Sequence, residues 1–440
     1  MKIAVAGTGY VGLVTGVCLA SKGHEVTCVD VDENKVKIMK NGDSPIYEPG
    51  LSELMKEHKN NLVFTTDYEE AYREAEVIFI GVGTPEKQDG SANLSYVFEV
   101  AKQIAQTVQR DCVVVIKSTV PIGTNDKIES YIRDKQKNKD VCIYVASNPE
   151  FLSQGTAVKD TLCASRIVIG VEEVFPGEVL KKVYEKFDVP KLIVKRRSAE
   201  MIKYASNDFL ALKISYINEI ANLCEIVGAN IEEVTEGMGY DARIGHRFLN
   251  AGIGYGGSCF PKDTKALNWL ANFNDNEIRT IRAAIEVNEN QKFKLIKKAK
   301  KYYHDFLFLN VAILGCTFKP GTDDLREAPS LVNVPLLLED GAHVRIWDPV
   351  GTANFKKRFP DKIQYCDSIE QAIEGADICL ILTEWESVKN FEVEKFQKLM
   401  KCPIVLDGRN CYSLSAFENT KITYDSIGRK TINPNLYKEN

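Results

Sequence analysis

The chain has 440 residues, 44% hydrophobic and 27% charged, with a formal net charge of −5. This length exceeds what one hydrophobic core usually serves and suits two or three domains. The charge gives no whole-chain attraction to nucleic acid or to an anionic membrane, and no apolar run approaches the roughly 18 residues of a membrane span.

The cysteine positions and the N-terminal sequence indicate the cellular compartment and whether a metal site is expected. The twelve cysteines are scattered, no CxxC occurs, and no histidine lies near a cysteine at metal-ligand spacing. We therefore expect buried thiols rather than disulfides, and no metal site. No charged lead with an apolar segment and a cleavage site opens the sequence, which predicts a cytoplasmic protein.

The first 30 residues predict strand, turn, helix and strand. "KIAVAG" is an apolar run ending in glycine, "GYVGLVTGVCLASKG" has helical periodicity, and "HEVTCVD" is a second strand ending in an acid. Further strand-like runs follow at "AEVIFIGV", "CVVVIKST", "VCIYVASN" and "SRIVIG", with helical stretches between most of them. This alternation predicts a parallel sheet with helices on both faces.

The turn "GTGYVG" has the GxGxxG spacing of a dinucleotide-binding fingerprint. Gly7 makes the tight turn, Gly9 lets the backbone approach a pyrophosphate, and Gly12 lets helix and strand pack closely. Asp30 ends the second strand, where a carboxylate binds ribose hydroxyls and repels a 2′-phosphate, so NAD is the expected cofactor. Lys35 is placed to reach the adenosine side. The alternatives are a ligand-free glycine turn and a solvated lysine.

Two polar segments follow that could carry chemistry. Glu150 in "NPEFLSQG" follows a strand end and is a candidate general base, or else a helix N-terminal acid. Residues 198–228 predict one helix of about 30 residues with Ser198 as N-cap. Lys203 and Asn207 share one face of that helix and would need a polar partner there if they are buried; surface exposure is the alternative.

The stretch "AGIGYGGSCFPKD" contains four glycines followed by Cys259. Such a backbone can approach a ligand closely and donate N–H groups to it. Lys262 beside the thiol favours its reactive thiolate form, and Asp263 can accept a proton or orient a water. An inert thiol at a tight turn is the alternative.

The last third of the chain resembles the first. "LNVAILGCTFKPG" echoes "MKIAVAGTGYVG", and "AHVRIWDP" echoes "HEVTCVD", but the glycine fingerprint is lost. We predict an α/β protein with two doubly wound Rossmann-like domains joined by a long central helix. The expected domains are 1–197 for NAD binding, 198–300 for dimerisation with catalytic residues, and 301–440 for a second Rossmann-like fold.

Several motifs, in order and along nearly the whole chain, resemble those of the UDP-glucose 6-dehydrogenases. They are "GTGYVG", "VGTP", "STV", "NPEF", "DARIG…FLNAGIGYGGSCFPKD" and "FKPGTDDLREAPS". The resemblance implies oxidation of UDP-glucose to UDP-glucuronate with two NAD and one water. Cys259 would hold the sugar as a thiohemiacetal and then as a thioester. Lys203, Asn207 and Asp263 would act on the sugar oxygen and the water, and Glu150 would assist hydrolysis.

The resemblance also assigns binding residues. The expected catalytic set is Cys259, Lys203, Asn207, Asp263, Glu150 and Thr119. The expected NAD contacts are Gly7, Gly9, Tyr10, Val11, Gly12, Asp30, Lys35, Thr84, Thr119, Gln154, Lys262 and Arg326. The expected UDP-sugar contacts are Glu150, Phe151, Leu152, Lys203, Asn207, Arg243, Phe248, Leu249, Asn250, Ala251, Gly252, Gly256, Lys319 and Arg409. Arg243 would reach a neighbouring subunit's substrate, which implies a homodimer or a higher homo-oligomer.

One position departs from the family pattern. Many members have a second glutamate four residues after the Glu150 position, where this chain has Gln154. Gln154 can hydrogen-bond but cannot act as a base, so we assign that role to Glu150 and Asp263. Two alternative functions stay open: a 6-dehydrogenase of another nucleotide sugar (a UDP-N-acetylhexosamine or GDP-mannose), and a non-catalytic nucleotide-sugar-binding regulator.

Overall fold

The computed structural model describes residues 1–434, so the end of the predicted third domain, residues 435–440, lies outside the described residues. The chain forms two compact units. Unit 1 comprises Met1–Ser206 and Trp269–Asn274, and unit 2 comprises Asn207–Asn268 and the chain from Asp275 onward.

Unit 1 contains an eight-stranded sheet. Its strands are β1 (Lys2–Ala6), β2 (Glu25–Val29), β3 (Leu62–Thr65), β4 (Val77–Ile80), β5 (Cys112–Ile116), β6 (Ile143–Ser147), β7 (Ile167–Gly170) and β8 (Lys191–Val194). They lie in the order β3-β2-β1-β4-β5-β6-β7-β8. Neighbouring strands are parallel except β6 and β7, which meet antiparallel at Ser147 and Gly170. The predicted doubly wound sheet is confirmed, with this one reversal.

Helices cover both faces of this sheet. They are α1 (Tyr10–Ser21), α2 (Glu33–Lys40), α3 (Leu51–Glu57), α4 (Tyr68–Arg73), α5 (Ser95–Thr107), α6 (Thr124–Lys135), α7 (Ala157–Leu162) and α8 (Val174–Val183), with a short 3-10 turn at Lys59–Asn61. Alternate residues of β1 enter different clusters: Ile3 and Val5 join one core, and Ala4 and Ala6 join the other. Because both of their faces are buried, the central strands β4 and β5 are continuous apolar runs.

The long central helix is present, but its start differs from the prediction. The helices that follow unit 1's sheet are α9 (Arg196–Val227), α10 (Ile231–Gly239), α11 (Phe260–Phe273), α12 (Arg279–Gln291) and α13 (Lys294–Ala299). Helix α9 begins before Ser198, so Ser198 is not its N-cap. Arg196 makes the earlier start favourable because its buried guanidinium pairs with Asp126 and Glu129. The helix ends where Gly228 turns to φ 78°.

Unit 2 contains a six-stranded, wholly parallel sheet. Its strands are β9 (Asn310–Leu314), β10 (His343–Trp347), β11 (Ile363–Tyr365), β12 (Ile378–Ile381), β13 (Ile404–Asp407) and β14 (Thr423–Ser426). Their order is β11-β10-β9-β12-β13-β14, which repeats the arrangement of the first six strands of unit 1. The helices around it are α14 (Ser330–Glu339), α15 (Thr352–Arg358), α16 (Ile369–Ile373), α17 (Glu386–Lys389) and α18 (Val393–Leu399), with a 3-10 turn at Leu414–Phe417.

The second sheet confirms the predicted internal repeat. Asp348 follows β10 as Asp30 follows β2, yet it is buried and serves its own chain. Its carboxylate accepts hydrogen bonds from the backbone N–H groups of Cys316 and Gly351 and from the Trp385 indole. Such an acid has little capacity left for a ribose. Within residues 1–434, no helix has the length and apolar content needed to cross a membrane.

Substituting Gly12 with alanine tests the packing of α1 on the first turn. A Cβ at Gly12 would overlap the Gly7 carbonyl oxygen, and Gly81 packs against the same point. We expect Gly12→Ala to lower the free energy of unfolding by about 1–3 kcal/mol, as overpacking does. Gly9→Ala is the matched control, because within residues 1–434 no heavy atom beyond the two chain neighbours lies within 4 Å of a Cβ there. Urea unfolding of both variants measures the difference, and equal stabilities would contradict the packing argument.

Candidate active site

The turn between β1 and α1 has the form predicted for a dinucleotide site. Gly7 adopts φ 90°, and its N–H donates to the Val29 carbonyl. Gly9 immediately precedes the N-terminus of α1, and the space around its Cα is open. Tyr10 and Val11 form the first turn of that helix. A helix N-terminus with accessible backbone attracts phosphate.

Asp30 lies at the end of β2 beside this turn. Its carboxylate accepts hydrogen bonds from the Thr8 N–H and hydroxyl, at 2.9 and 2.5 Å, and from the Asp32 N–H. Partial burial would raise the pKa of Asp30, but these bonds and the charge of Lys35 hold it below its ordinary value. Asp30 is therefore an ionised acceptor at neutral pH, and Lys35 lies close enough to act on it.

A buried ion pair joins two of the predicted catalytic residues of unit 1. The Lys203 ammonium lies 2.9 Å from Glu150 Oε1, and both side chains are almost fully buried. Glu150 Oε2 accepts the N–H of Leu152. The surface-exposed alternative for Lys203 is thereby excluded, and Glu150 already has a partner at each oxygen. The Phe151 ring lies beneath two cations, with Lys203 at 5.5 Å and Arg166 at 3.8 Å from its centroid.

A second buried lysine near this pair was missed by the sequence analysis. Lys117 Nζ donates to Asn148 Oδ1 at 3.0 Å, which also accepts the Tyr184 hydroxyl. Burial lowers the pKa of Lys117 to about 8, against the opposing effect of the Glu150 carboxylate. The only signal in the sequence was a lysine that directly follows the apolar run "CVVVI".

The threonines and Gln154 lie in loops of the same unit. Thr84 is buried and donates its hydroxyl to the Thr119 carbonyl at 2.9 Å. Thr119 lines a small cleft with Ser118, Glu200 and Lys203. Gln154 is buried, and its Oε1 has no hydrogen-bond partner among the described residues.

Glu48, another residue that the sequence analysis missed, fixes the loop that carries Gln154. Its carboxylate accepts the N–H groups of Gly155 and Ala157, both at 2.7 Å, at the start of α7.

Unit 2 brings together Asn207, Asp263 and Lys262. The Asn207 amide donates to Asp263 Oδ2 at 2.7 Å, and the Lys262 ammonium donates to Oδ1 at 2.5 Å. Asp263 is 1% exposed. Its N–H donates to the Cys259 carbonyl, which places Cys259 immediately before the first turn of α11. An anion at a helix N-terminus is favoured, and a thiolate there is more nucleophilic than a thiol.

Cys259 differs in setting from most of the other thiols. It is half-buried, with its sulfur 3.8 Å from the Ser258 hydroxyl. By contrast, burial raises the pKa of Cys18, Cys28 and Cys112 to about 12, which keeps those thiols protonated.

The sequence predicts that the glycine-rich loop before Cys259 donates backbone N–H groups to a ligand, but several of these groups bond within unit 2 instead. The N–H groups of Gly252, Tyr255 and Gly257 donate to Asn218, Asn288 and the Arg326 carbonyl, so they are not free for a ligand. A Cβ at Gly256 would overlap the Glu327 carbonyl oxygen. These glycines therefore allow the loop to pack against the turn at residues 326–327.

The remaining predicted sugar-site residues of unit 2 either directly precede this loop, at positions 248–251, or belong to distant segments, as Lys319 and Arg409 do. Arg409 donates to the Gly254, Phe318 and Leu382 carbonyls. Leu249 and Ala251 are buried, Asn250 is exposed, and Phe248 has φ 65°. Lys319 lies 5.6 Å from the centre of the Phe318 ring.

The arginines predicted to contact NAD and a partner subunit are both paired within the chain. Arg326 pairs with Asp324. Arg243 pairs with Asp241 and is 89% exposed, so its predicted contact across an interface stays a prediction.

Comparison with known proteins identifies the family that has this architecture. Three models of the UDP-glucose/GDP-mannose dehydrogenase family match: the NAD binding domain over residues 1–188, the central domain over 197–290 and the UDP binding domain over 312–414. UDP-glucose 6-dehydrogenase YwqF of Bacillus subtilis is 49% identical over 436 residues, 99% of each chain. The UDP-glucose 6-dehydrogenase of Pseudomonas aeruginosa is 42% identical over 98% of each chain.

Solved structures of nucleotide-sugar dehydrogenases have the same fold as this chain. A UDP-glucose dehydrogenase from Pyrobaculum islandicum matches with a TM-score of 0.91 and 36% identity, covering 97% of this chain and 98% of its own. A UDP-D-ManNAc dehydrogenase from Pyrococcus horikoshii matches with a TM-score of 0.85 and 30% identity, covering 98% and 99%. The chain belongs to the UDP-glucose/GDP-mannose dehydrogenase family.

Proposed function

We propose that this chain is an NAD-dependent UDP-glucose 6-dehydrogenase that converts UDP-glucose, two NAD and one water to UDP-glucuronate. The observation that carries the proposal is the placement of Cys259 before α11, in the same unit as the hydrogen-bonded Asn207, Asp263 and Lys262. A two-electron dehydrogenase has no need of such a thiol. The relatives at 40–49% identity named UDP-glucose 6-dehydrogenase support this substrate.

The residues of the β1–α1 turn fit NAD. The Cα of Gly9 is open to an approaching phosphate, and Asp30 is an ionised acceptor for ribose hydroxyls. When bound, NAD accepts the hydride that leaves C6 in each oxidation. Thr84, Thr119, Gln154, Lys262 and Arg326 are proposed as its further contacts.

The chain's own residues supply the remaining chemistry. In the first oxidation, the C6 hydroxyl proton passes to Asp263, and Lys203, which is paired with Glu150, polarises the oxygen. The Cys259 sulfur then adds to the aldehyde carbon to form a thiohemiacetal, whose oxidation leaves a thioester. Water attacks that carbonyl, the C–S bond breaks, and the carboxylate and the free thiol are released. Glu150 is proposed to assist this hydrolysis through Lys203, because both of its oxygens are engaged.

The predicted domains and compartment are part of the proposal. Residues 1–197 bind NAD, and 198–300 form the dimerisation region. Residues 301–440 bind the UDP-sugar through Lys319 and Arg409, and Phe248–Gly252 and Gly256 of the preceding region contribute further contacts. We retain the predicted cytoplasmic location. The twelve free cysteines are in keeping with a reducing compartment.

A homodimer formed through α9 is the proposed assembly. Phe209, Tyr216 and Leu223 are spaced seven residues apart, and each is at least half exposed. Side chains at this spacing lie on one face of a helix, as in a helix–helix seam. The exposed Arg243 is proposed to reach the substrate of the partner subunit.

A second candidate function is the oxidation of another nucleotide sugar. The likeness to the UDP-D-ManNAc dehydrogenase of Pyrococcus horikoshii favours testing it. A panel of UDP-glucose, UDP-N-acetylhexosamines and GDP-mannose, scored by NADH formed, separates the two. A non-catalytic regulator would form no NADH with any of them.

Counting NADH tests the four-electron mechanism. Limiting UDP-glucose with excess NAD should give two NADH per sugar, and Cys259→Ser should bind NAD normally but form no UDP-glucuronate, because no thioester can form. Cys402→Ser is the matched control, since Cys402 is also half-buried in unit 2. One NADH per sugar, or near-normal turnover of Cys259→Ser, would disprove the mechanism.

Restoring the family acid at position 154 tests the assignment of base roles. Gln154→Glu should change kcat by less than about tenfold, or 1.4 kcal/mol, because Asp263 already supplies a base. Gln154→Met, which is similar in size and lacks hydrogen-bonding capacity, serves as control. A much larger gain for Gln154→Glu would show that this position normally carries the base.

Mixed dimers test the role of Arg243. Arg243→Ala and Cys259→Ser homodimers should each be inactive. Re-association of an equimolar mixture should restore about a quarter of wild-type activity, because half of the dimers then contain one complete site. Arg243→Ala/Cys259→Ser mixed with wild type is the control for subunit exchange. If the mixture stays inactive although mass spectrometry detects mixed dimers, Arg243 does not act across the interface.

A further inference from the structure

Helix α9 carries a carboxyl group that the proposed mechanism does not use. Asp208 follows Asn207 and is 1% exposed. Neither of its carboxyl oxygens has a hydrogen-bond partner within residues 1–434. An ionised carboxylate in such a place is costly unless it is paired, so the group is favoured in its neutral form.

The neighbouring charges favour the same state. Burial and the Asp263 carboxylate raise the pKa of Asp208 to about 8, against the opposing effect of Lys262. Burial likewise raises the pKa of the Tyr255 phenol to about 12. Asp208 and Asp263 are thus two buried acids that influence each other. Within residues 1–434 the first has no hydrogen-bond partner at either oxygen, and the second has one at each.

Asp263 is the member of this pair that is fit to carry the negative charge. It accepts the Asn207 amide and the Lys262 ammonium, one at each oxygen, and bonds from an amide and a cation favour an ionised carboxylate. Asp208 has neither kind of bond. Two such carboxyl groups resist ionising together, so the proton remains on Asp208.

We propose that Asp208 is a positioning residue for Asp263: it stays a neutral carboxylic acid while the enzyme works, and its ionisation sets an alkaline limit to turnover. The proposal rests on the proposed function. A second negative charge would draw Lys262 away from Asp263.

The pH dependence of kcat for UDP-glucose oxidation tests this role. Wild-type kcat should fall above about pH 8, because Asp208 is neutral below that pH and charged above it. Asp208→Asn keeps the shape and cannot ionise, so this limb should disappear. The ratio of variant to wild-type kcat should rise about tenfold between pH 7 and pH 9. Glu394→Gln, an exposed carboxyl in α18, is the control and should follow wild type.

Two measurements report on Asp208 without turnover. The infrared difference between wild type and Asp208→Asn should contain a protonated carboxyl band at pH 6 that is lost through about pH 8. Because the folded-state pKa lies above the unfolded one, Asp208 stabilises the fold at low pH and loses that contribution as pH rises towards 8. Asp208→Asn should therefore gain in urea midpoint, relative to wild type, between pH 5 and pH 8.

The outcomes separate this inference from the proposed function. An unchanged alkaline limb in Asp208→Asn, with no protonated band at pH 6, overturns the role of Asp208 even if two NADH form per UDP-glucose. If UDP-glucose is not oxidised, the band and the unfolding data still determine the state of Asp208. Should Asp208→Asn fail to fold, Asp208→Ala serves in the same comparisons.

Discussion

The burial of charged and polar side chains along one face of α9 is the constraint on which the predicted catalytic groups of each unit depend. Arg196, Glu200, Lys203 and Asn207 follow one another at helical spacing, and each is buried. Each has a partner from a distant segment: Asp126 and Glu129, Asn125, Glu150, and Asp263 respectively. Since an unpaired buried charge is costly, these pairings fix how α6, the loop after β6 and the start of α11 each meet the helix.

That constraint explains which parts of the site were predictable. Local patterns identified the β1–α1 turn, Asp30, the repeated sheet and the length of α9, because glycine spacing and apolar periodicity are set by neighbouring residues. The pairing of Lys203 with Glu150 was not predictable from the residues alone, since 53 positions separate the two. Ser198 was wrongly assigned as a cap because the ion pairs of Arg196 favour an earlier helix start. Asp208 went unnoticed because a lone aspartate in a helix usually faces water.

The two sheets show how one arrangement can lead to different ligand capacity. Asp30 and Asp348 occupy matching places, at the ends of β2 and β10. Asp30 is half-buried beside a glycine turn that leaves backbone open, whereas Asp348 is engaged by its own loop and by Trp385. The two copies therefore share the sheet order, but in the second copy the acid after β10 is hydrogen-bonded within unit 2. The sequence motifs around Gly252 and Lys319, which we propose hold the UDP-sugar, lie in other segments of unit 2.

The packing of the Gly256–Gly257 segment on the turn at Arg326 and Glu327 has a consequence for engineering. Neither segment can be altered alone, because the glycines have no room for side chains and the Gly257 N–H is committed to the Arg326 carbonyl. Replacing the proposed sugar-binding loop on this scaffold would therefore require residues 252–258 and 322–328 to be exchanged as one cassette. Homologues should show the same linkage as paired changes in the two segments, although about 70 residues separate them in the chain.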